Sequence, residues 1–279
     1  MNPSSVWGSR RTDMKKYKII DSHCHIYPDK IAQKASDATA RFYDLPPSMD
    51  GTISTLLEHG TAAGIDHFIV QSVATTPKQV SSINNFIAAS VAASGGRFTG
   101  LGTLHPDSED IAADVNEIIS LGLKGVKLHP DIQQVKLDDH RMLKMYELCE
   151  GRLPMLLHTG DCRYDYSNPN RMLPILDIYK DLTVIGAHFG GWSIWEEATE
   201  VFAGRENFYV DCSSSLYAIS PEKAKELMHA YGTDRVLFGT DYPLWTPESE
   251  LERFMQVDLT EKEREDILYN NAAELFGIK

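Results

Sequence analysis

The chain has 279 residues, 42% of them hydrophobic, and a formal net charge of −13. That length can build one sizeable core and sits somewhat above a common size for an α/β barrel treated as one domain. The acidic balance argues against nucleic acid as the main partner, because phosphate binding needs a basic face. It leaves an anionic substrate open, since a metal ion or one arginine reverses a local field.

No run approaches the roughly 18 apolar residues of a membrane span, and the N-terminus lacks the apolar core of a signal peptide. Cys24, Cys149, Cys162 and Cys212 show no CxxC spacing and read as free thiols in a reducing compartment. The expectation is a soluble cytoplasmic protein with no membrane partner.

Residues 1–13 are polar and irregular and read as an N-terminal tail ahead of a single domain over 14–279. From there one theme repeats: a short β-branched or apolar run, a polar loop, a helix-period segment, then a glycine. The runs are Lys18–Asp21, His67–Ser72, Phe98–Leu104, Gly125–His129, Pro154–His158, Thr183–Ala187, Phe208–Asp211 and Val236–Gly239. After a first gap of about 49 residues their starts lie about 25 to 31 apart, the size of one strand-loop-helix unit. Thr76-Pro77, Ser220-Pro221 and Thr246-Pro247 each read as an N-cap with proline at the first helical position, and Thr260 to Glu263 has the capping-box pattern. Ile267, Leu268, Asn271, Ala272, Leu275 and Phe276 form a mostly apolar helical stripe, while Gly64, Gly95, Gly122, Gly151 and Gly232 stand where helices should stop. Eight such units predict a (β/α)8 TIM barrel, with a doubly wound open sheet as the alternative. The long first connection, Ile26 to Met49, is expected over the barrel mouth, with Tyr27, Phe42 and Tyr43 as lid or packing residues.

In such a barrel the C-terminal strand ends face the active site. The first strand ends in His23-Cys24-His25; alternation puts both imidazoles on one face and Cys24 on the other. Lys127 and His129 share a face at the fourth strand. His158 ends the fifth, His188 the sixth, Asp211 the seventh and Asp241 follows the eighth. Imidazoles with a carboxylate suit zinc, and also manganese, iron or nickel, and an open ligand position makes such a site catalytic. His59, His67, His105, His140 and His229 read as surface or satisfied core histidines, with His105 a further pocket candidate.

These pieces resemble the amidohydrolase superfamily. The matching motifs are Asp21-Ser22-His23-Cys24-His25, Gly125 to Pro130, His158-Thr159-Gly160, Gly186 to Gly191 and Phe238 to Pro243. Within it they are most similar to the branch of aminocarboxymuconate-semialdehyde decarboxylase, resorcylate-type decarboxylases and dicarboxylate lactonases. The resemblance implies one divalent ion, zinc first and manganese as the alternative, held by His23, His25, His158 and Asp241. It makes His188 the general base or electrophilic partner and lets Asp241 serve also as acid/base. In binuclear members a carboxylated lysine bridges two ions, a role open to Lys127; the mononuclear reading is preferred and leaves Lys127 and His129 facing the pocket. It further implies a homodimer.

Substrate-contacting candidates come from the loops: Arg163, Trp192 and Tyr217, with Tyr164, Tyr166, Trp195 and Trp245 nearby. Arg163 suits a carboxylate, although an exposed loop arginine fits equally. Asp211 is placed to orient a ligand histidine. The leading expectation is a metal-dependent hydrolase of an amide, ester or lactone of a small molecule; the alternative is a non-oxidative decarboxylase of a small carboxylated aromatic or muconate-like substrate. A TatD-type nuclease is opposed by the acidic charge and by Lys127-Leu128-His129. A non-catalytic binding protein is opposed by the intact ligand set.

Overall fold

The computed structural model describes residues 17–46 and 49–279; the tail read over 1–13 lies outside them. The strands are β1 (Ile20–His25), β2 (His67–Gln71), β3 (Phe98–Gly100), β4 (Gly102–Thr103), β5 (Val126–Leu128), β6 (Met155–Leu157), β7 (Val184–Gly186), β8 (Phe208–Asp211) and β9 (Val236–Leu237). Every neighbouring pair is parallel, in ladders β1-β2-β3 and β4-β5-β6-β7-β8-β9. β3 and β4 are two pieces of the third run, broken at Leu101. There the Leu101 N–H donates to Val70 O and the Gly102 N–H to Gly125 O, each at 2.9 Å, joining the two ladders. On the far side the Ser22 N–H donates to Phe238 O at 2.9 Å, the His25 N–H to Tyr242 O at 2.7 Å, and Cys24 bridges Tyr242. The eight runs thus form the TIM barrel.

Period-two alternation sorts the side chains into two layers. Ile20, Ile69, Leu101, Leu156, Ile185 and Leu237 point inward and form one buried cluster, plugged by Ala272 and Phe276 of the C-terminal helix Asn271–Phe276. Phe68, Val70, Val126, Leu128, Met155 and Leu157 point outward and pack with helix residues such as Leu56, Ile87, Val115, Ile118 and Met142. Each such side chain contributes about 1.5–3 kcal/mol when fully buried. β1 carries a bulge: Asp21 pairs with Phe68 and Cys24 with Val70, so Ser22 and His23 together oppose Ile69. The extra residue resets the alternation, which is how Ile20 and both His23 and His25 come to share the interior.

The first three helices are α1 (Asp29–Tyr43), α2 (Ile53–Ala63) and α3 (Val80–Ala93), of which α1 and α3 shape the mouth. Gly64 ends α2 with φ 85°, a conformation that disfavours a side chain. Thr76-Pro77 opens a single 3₁₀ turn, Pro77–Gln79, rather than α3 itself. Ser220, Thr246 and Thr260 cap their helices by accepting from Lys223 N, Ser249 N and Glu263 N. Among the described residues no helix is long and apolar enough to cross a membrane.

Candidate active site

The strand ends converge on one cavity of about 640 Å³, lined at its floor by His23, His25, Lys127, His129, His158, His188 and Asp241. α1 crosses the mouth, as the long first connection predicted. Gly239 follows β9 under the floor; a Cβ there would stand 2.9 Å from His23 Cβ, so only glycine admits the histidine.

His23 Nε2 lies 3.2 Å from His25 Nε2 and 3.4 Å from Asp241 Oδ1, and His25 Nε2 lies 3.7 Å from the same oxygen. These buried atoms form one potential cation-binding triad. Two further groups of ligand atoms lie within 4.8 Å of one another among the described residues: His23, His188 and Asp211, and His129, Asp131 and His158. The last is a poor cation site. Its imidazoles stack at 4.0 Å and 8°, and an ion cannot lie in both ring planes at once.

The hydrogen bonds fix the protons. His23 Nδ1 lies 2.9 Å from Asp211 Oδ2, which only accepts, so the proton sits on Nδ1 and Nε2 keeps its lone pair. His188 Nδ1 lies 3.0 Å from the carbonyl of Ser213, with the same consequence. At His129 the order reverses: Nδ1 accepts from the Ile132 N–H at 3.3 Å, so Nε2 carries the proton and donates to Tyr43 Oη at 2.5 Å. The Tyr43 hydroxyl keeps its own proton to donate, to His158 Nδ1 at 3.3 Å or to a ligand. Burial holds this phenol well above its usual pKa and therefore neutral.

Asp211 anchors two elements at once. Its Oδ1 accepts from Ser213 Oγ at 2.5 Å, Ser213 N at 3.0 Å and His188 N at 3.2 Å. Burial alone would raise this carboxyl, but His23, His188 and Ser213 hold it well below the carboxylate range. Asp241 is anchored through Oδ2, which accepts from Ser214 Oγ at 2.5 Å, while Trp245 Nε1 donates to Ser214 Oγ at 2.9 Å. His188, Ser214 and Asp241 take φ values of 60°, 45° and 59°. Left-handed non-glycine backbone of this kind costs about 1–3 kcal/mol each and tends to gather at working sites. Asp21 ties the two sides of the seam, accepting from Thr240 N at 2.9 Å, Thr240 Oγ1 at 2.6 Å and His23 N at 3.2 Å. Burial brings His188 down to about 4 and Lys127 down to about 8, the latter despite Asp211 and Asp241. Lys127 Nζ stands 3.2 Å from His23 Nε2.

Several expected contacts stand elsewhere. His158 lines the cavity, its ring 5.0 Å from that of His188, but its ligand atoms group with His129 and Asp131 rather than with the triad. Arg163 is behind the lining. Its Nε and Nη2 hold Asp161 at 2.9 and 2.6 Å, and Nη1 donates to Phe42 O at 2.7 Å. Trp192 packs edge-on against Tyr43 at 4.9 Å, and Tyr217 stacks on Trp245 at 4.6 Å; neither lines the cavity. His105 is buried outside the cavity lining, its Nδ1 accepting from Asp107 N. Ser213, Ser214 and Asp131 are site residues that sequence reasoning did not name, and Tyr43 was expected only as a lid or packing residue. The Ser213-Ser214-Ser215 run, which begins two residues after Asp211, was the available signal.

A parallel α/β barrel with imidazoles and carboxylates gathered at its C-terminal face is the architecture of a metal-assisted enzyme class. The amidohydrolase family profile matches residues 20–278, and the chain belongs to that family. Its fold is similar to an uncharacterised TIM-barrel protein from Bordetella bronchiseptica, at 24% identity and TM-score 0.78, covering 93% of this chain and 98% of the other. It is also similar to 5-carboxyvanillate decarboxylase from Sphingomonas paucimobilis, at 19% identity and TM-score 0.73, covering 94% and 99%. A putative 2-pyrone-4,6-dicarboxylic acid hydrolase from Pseudomonas putida aligns at 22% identity and TM-score 0.67, covering 94% and 98%.

Proposed function

We propose that this protein is a metal-dependent hydrolase that cleaves an amide, ester or lactone bond of a small molecule. The observation that carries the reading is the buried triad of His23 Nε2, His25 Nε2 and Asp241 Oδ1, with His23 locked by Asp211 in the tautomer a ligand needs. This donor set fits one divalent ion, zinc first and manganese second, with His158 beside it as the fourth ligand candidate. Held there, the ion would polarise a carbonyl and lower the pKa of a water from about 15.7 toward roughly 7.

The chain's own groups then divide the work. His188, neutral and protonated on Nδ1, offers Nε2 as the base for the attacking water. Ser214 and Trp245 fix Asp241 so that Oδ1 faces the two histidines, and Asp241 can pass the proton to the leaving group. Tyr43, its oxygen already accepting from His129, aims its own proton at the developing oxyanion. Lys127 adds a buried donor beside the triad. A single ion is favoured over a Lys127-bridged pair because His158 and His188 share no common ligand group.

The second reading, non-oxidative decarboxylation of a small carboxylated aromatic or muconate-like acid, uses the same residues. The neutral Tyr43 hydroxyl favours it, being a proton source for a carbanionic carbon. Elemental analysis comes first: about one equivalent of metal per chain, lost in His23→Ala, supports the site, and two equivalents would point to a carboxylated Lys127. A panel of lactones, esters and amides is then assayed beside hydroxybenzoates. Acid release without carbon dioxide supports hydrolysis; carbon dioxide evolution overturns it in favour of the lyase.

A further inference from the structure

The cavity is bipolar. Its histidines, Lys127 and Asp241 cluster at the floor on strand ends; away from them the lining is mostly apolar, with Lys34, Thr39, Thr75, Gln79 and Ser82 among its polar members and the Tyr27 and Tyr43 side chains between. α1 contributes Ile31, Ala35, Ala38 and Phe42, spaced four, three and four residues apart, so they form one stripe along the helix. That stripe is distinct from the buried face of α1, which carries Ala32, Ser36, Ala40 and Tyr43. Ile31 is 51% exposed and joins none of the hydrophobic clusters. Ile83 and Phe86 of α3 also line the outer cavity, beyond the polar floor. A second apolar stripe on a lid helix loses free energy to water unless something covers it.

We infer that this outer chamber is a subsite for an extended apolar group of the substrate. The substrate class is then an amide, ester or lactone whose reacting carbonyl sits at the floor and whose alkyl or aryl body runs out between α1 and α3. Between Lys127 at the floor and Lys34 at the mouth the chamber offers a second carboxylate no cation, and no arginine lines the cavity among the described residues. A cavity of about 640 Å³ falls within the roughly 300–1,000 Å³ of drug-sized ligand sites. The inference rests on the hydrolase reading for the reacting group only; the chamber is a property of α1 and α3.

The test is a chain-length series. Acetyl, butyryl, hexanoyl and octanoyl hydroxamates are titrated calorimetrically into the metal-loaded protein. Each added methylene should tighten binding about four-fold, equivalent to ~0.8 kcal/mol per buried CH₂. Ala35→Trp fills the chamber and should flatten the series while acetohydroxamate binds as before. Ile83→Ser, which leaves the helix in place and makes one wall polar, should weaken octanoyl binding alone. A second arm needs no metal: octanoate, but not acetate, should displace a dansylated fatty-acid probe from chelator-treated protein. A flat series with intact acetohydroxamate binding overturns the chamber. Loss of acetohydroxamate binding with octanoate displacement retained overturns the metal reading and keeps the chamber. Failure of both arms overturns both.

Discussion

Asp211→Asn is the sharpest test of how this site is built. The wild-type carboxylate accepts four hydrogen bonds, three on Oδ1 from Ser213 Oγ, Ser213 N and His188 N, and one on Oδ2 from His23 Nδ1. An asparagine offers only one oxygen. The three donors on one side outvote the single donor on the other, so the amide oxygen should settle at the Oδ1 position and its NH₂ should face His23. Two donors cannot face each other, so His23 must move its proton to Nε2, the atom that meets His25 and Asp241. The lone pair needed for a cation is then gone. Loss of an orienting partner ordinarily costs 10- to 100-fold in metal affinity, about 1.4–2.8 kcal/mol, and a reversed tautomer should lie at the upper end. Zinc affinity is read by competition with a chromophoric chelator, and the tautomer by long-range ¹H–¹⁵N correlation of the imidazole. Unchanged affinity in Asp211→Asn, with the His23 proton still on Nδ1, would refute the tautomer argument.

Substitutions at three other positions probe separate links. Tyr43→Phe removes the neutral donor above His129 and should lower kcat about 100-fold with metal content unchanged, as loss of one oxyanion donor does; an unaltered kcat removes Tyr43 from the chemistry. Arg163→Met frees the carbonyl of Phe42 at the end of α1 and should reproduce part of that loss in kcat/KM, with Arg163→Lys failing to rescue because a single ammonium cannot copy the fork to Asp161 and Phe42. Glu250 is paired with Arg253, yet burial pushes its carboxyl up to about 7 from 4.5. The folded state therefore holds its proton longer than the unfolded chain, so this group lowers stability as pH rises from 4.5 through 7 and by a constant amount above, about 3 kcal/mol at the most. Denaturant melts of Glu250→Gln across that range should show the wild-type decline flattened; parallel curves would contradict it.

What the sequence revealed, and what it hid, follows from where each constraint is written. The eight runs were legible because a barrel strand is buried on both faces and must be continuously apolar, and the metal-type residues were legible because they stand at fixed offsets from the ends of those runs. His-x-His on a strand is enough to place two imidazoles on one face. It does not say that the face is the interior, since by simple alternation Ile20 and His23 would point opposite ways; the bulge at Ser22 and His23 decides that, and no local residue pattern announces it. Arg163 read as an anion binder because it follows a strand end. The competing reading was two residues away in Asp161, whose carboxylate takes two of its donors and turns the arginine into a clamp for α1. Tyr43 is the converse case. It lies 86 positions from His129 in the chain, and nothing near it in sequence predicts contact. Its position depends on the path of α1 across the mouth, and that path is set by Arg163 on the carbonyl of Phe42 and by Trp192 against the ring. Groups that act at a strand end inherit their place from the barrel. Groups that orient them or reach in from a lid inherit theirs from loop packing, so a reading of strand ends brings His23, His25, His188 and Asp241 to one cavity floor, but leaves Tyr43 as no more than a lid or packing residue and passes over Ser214.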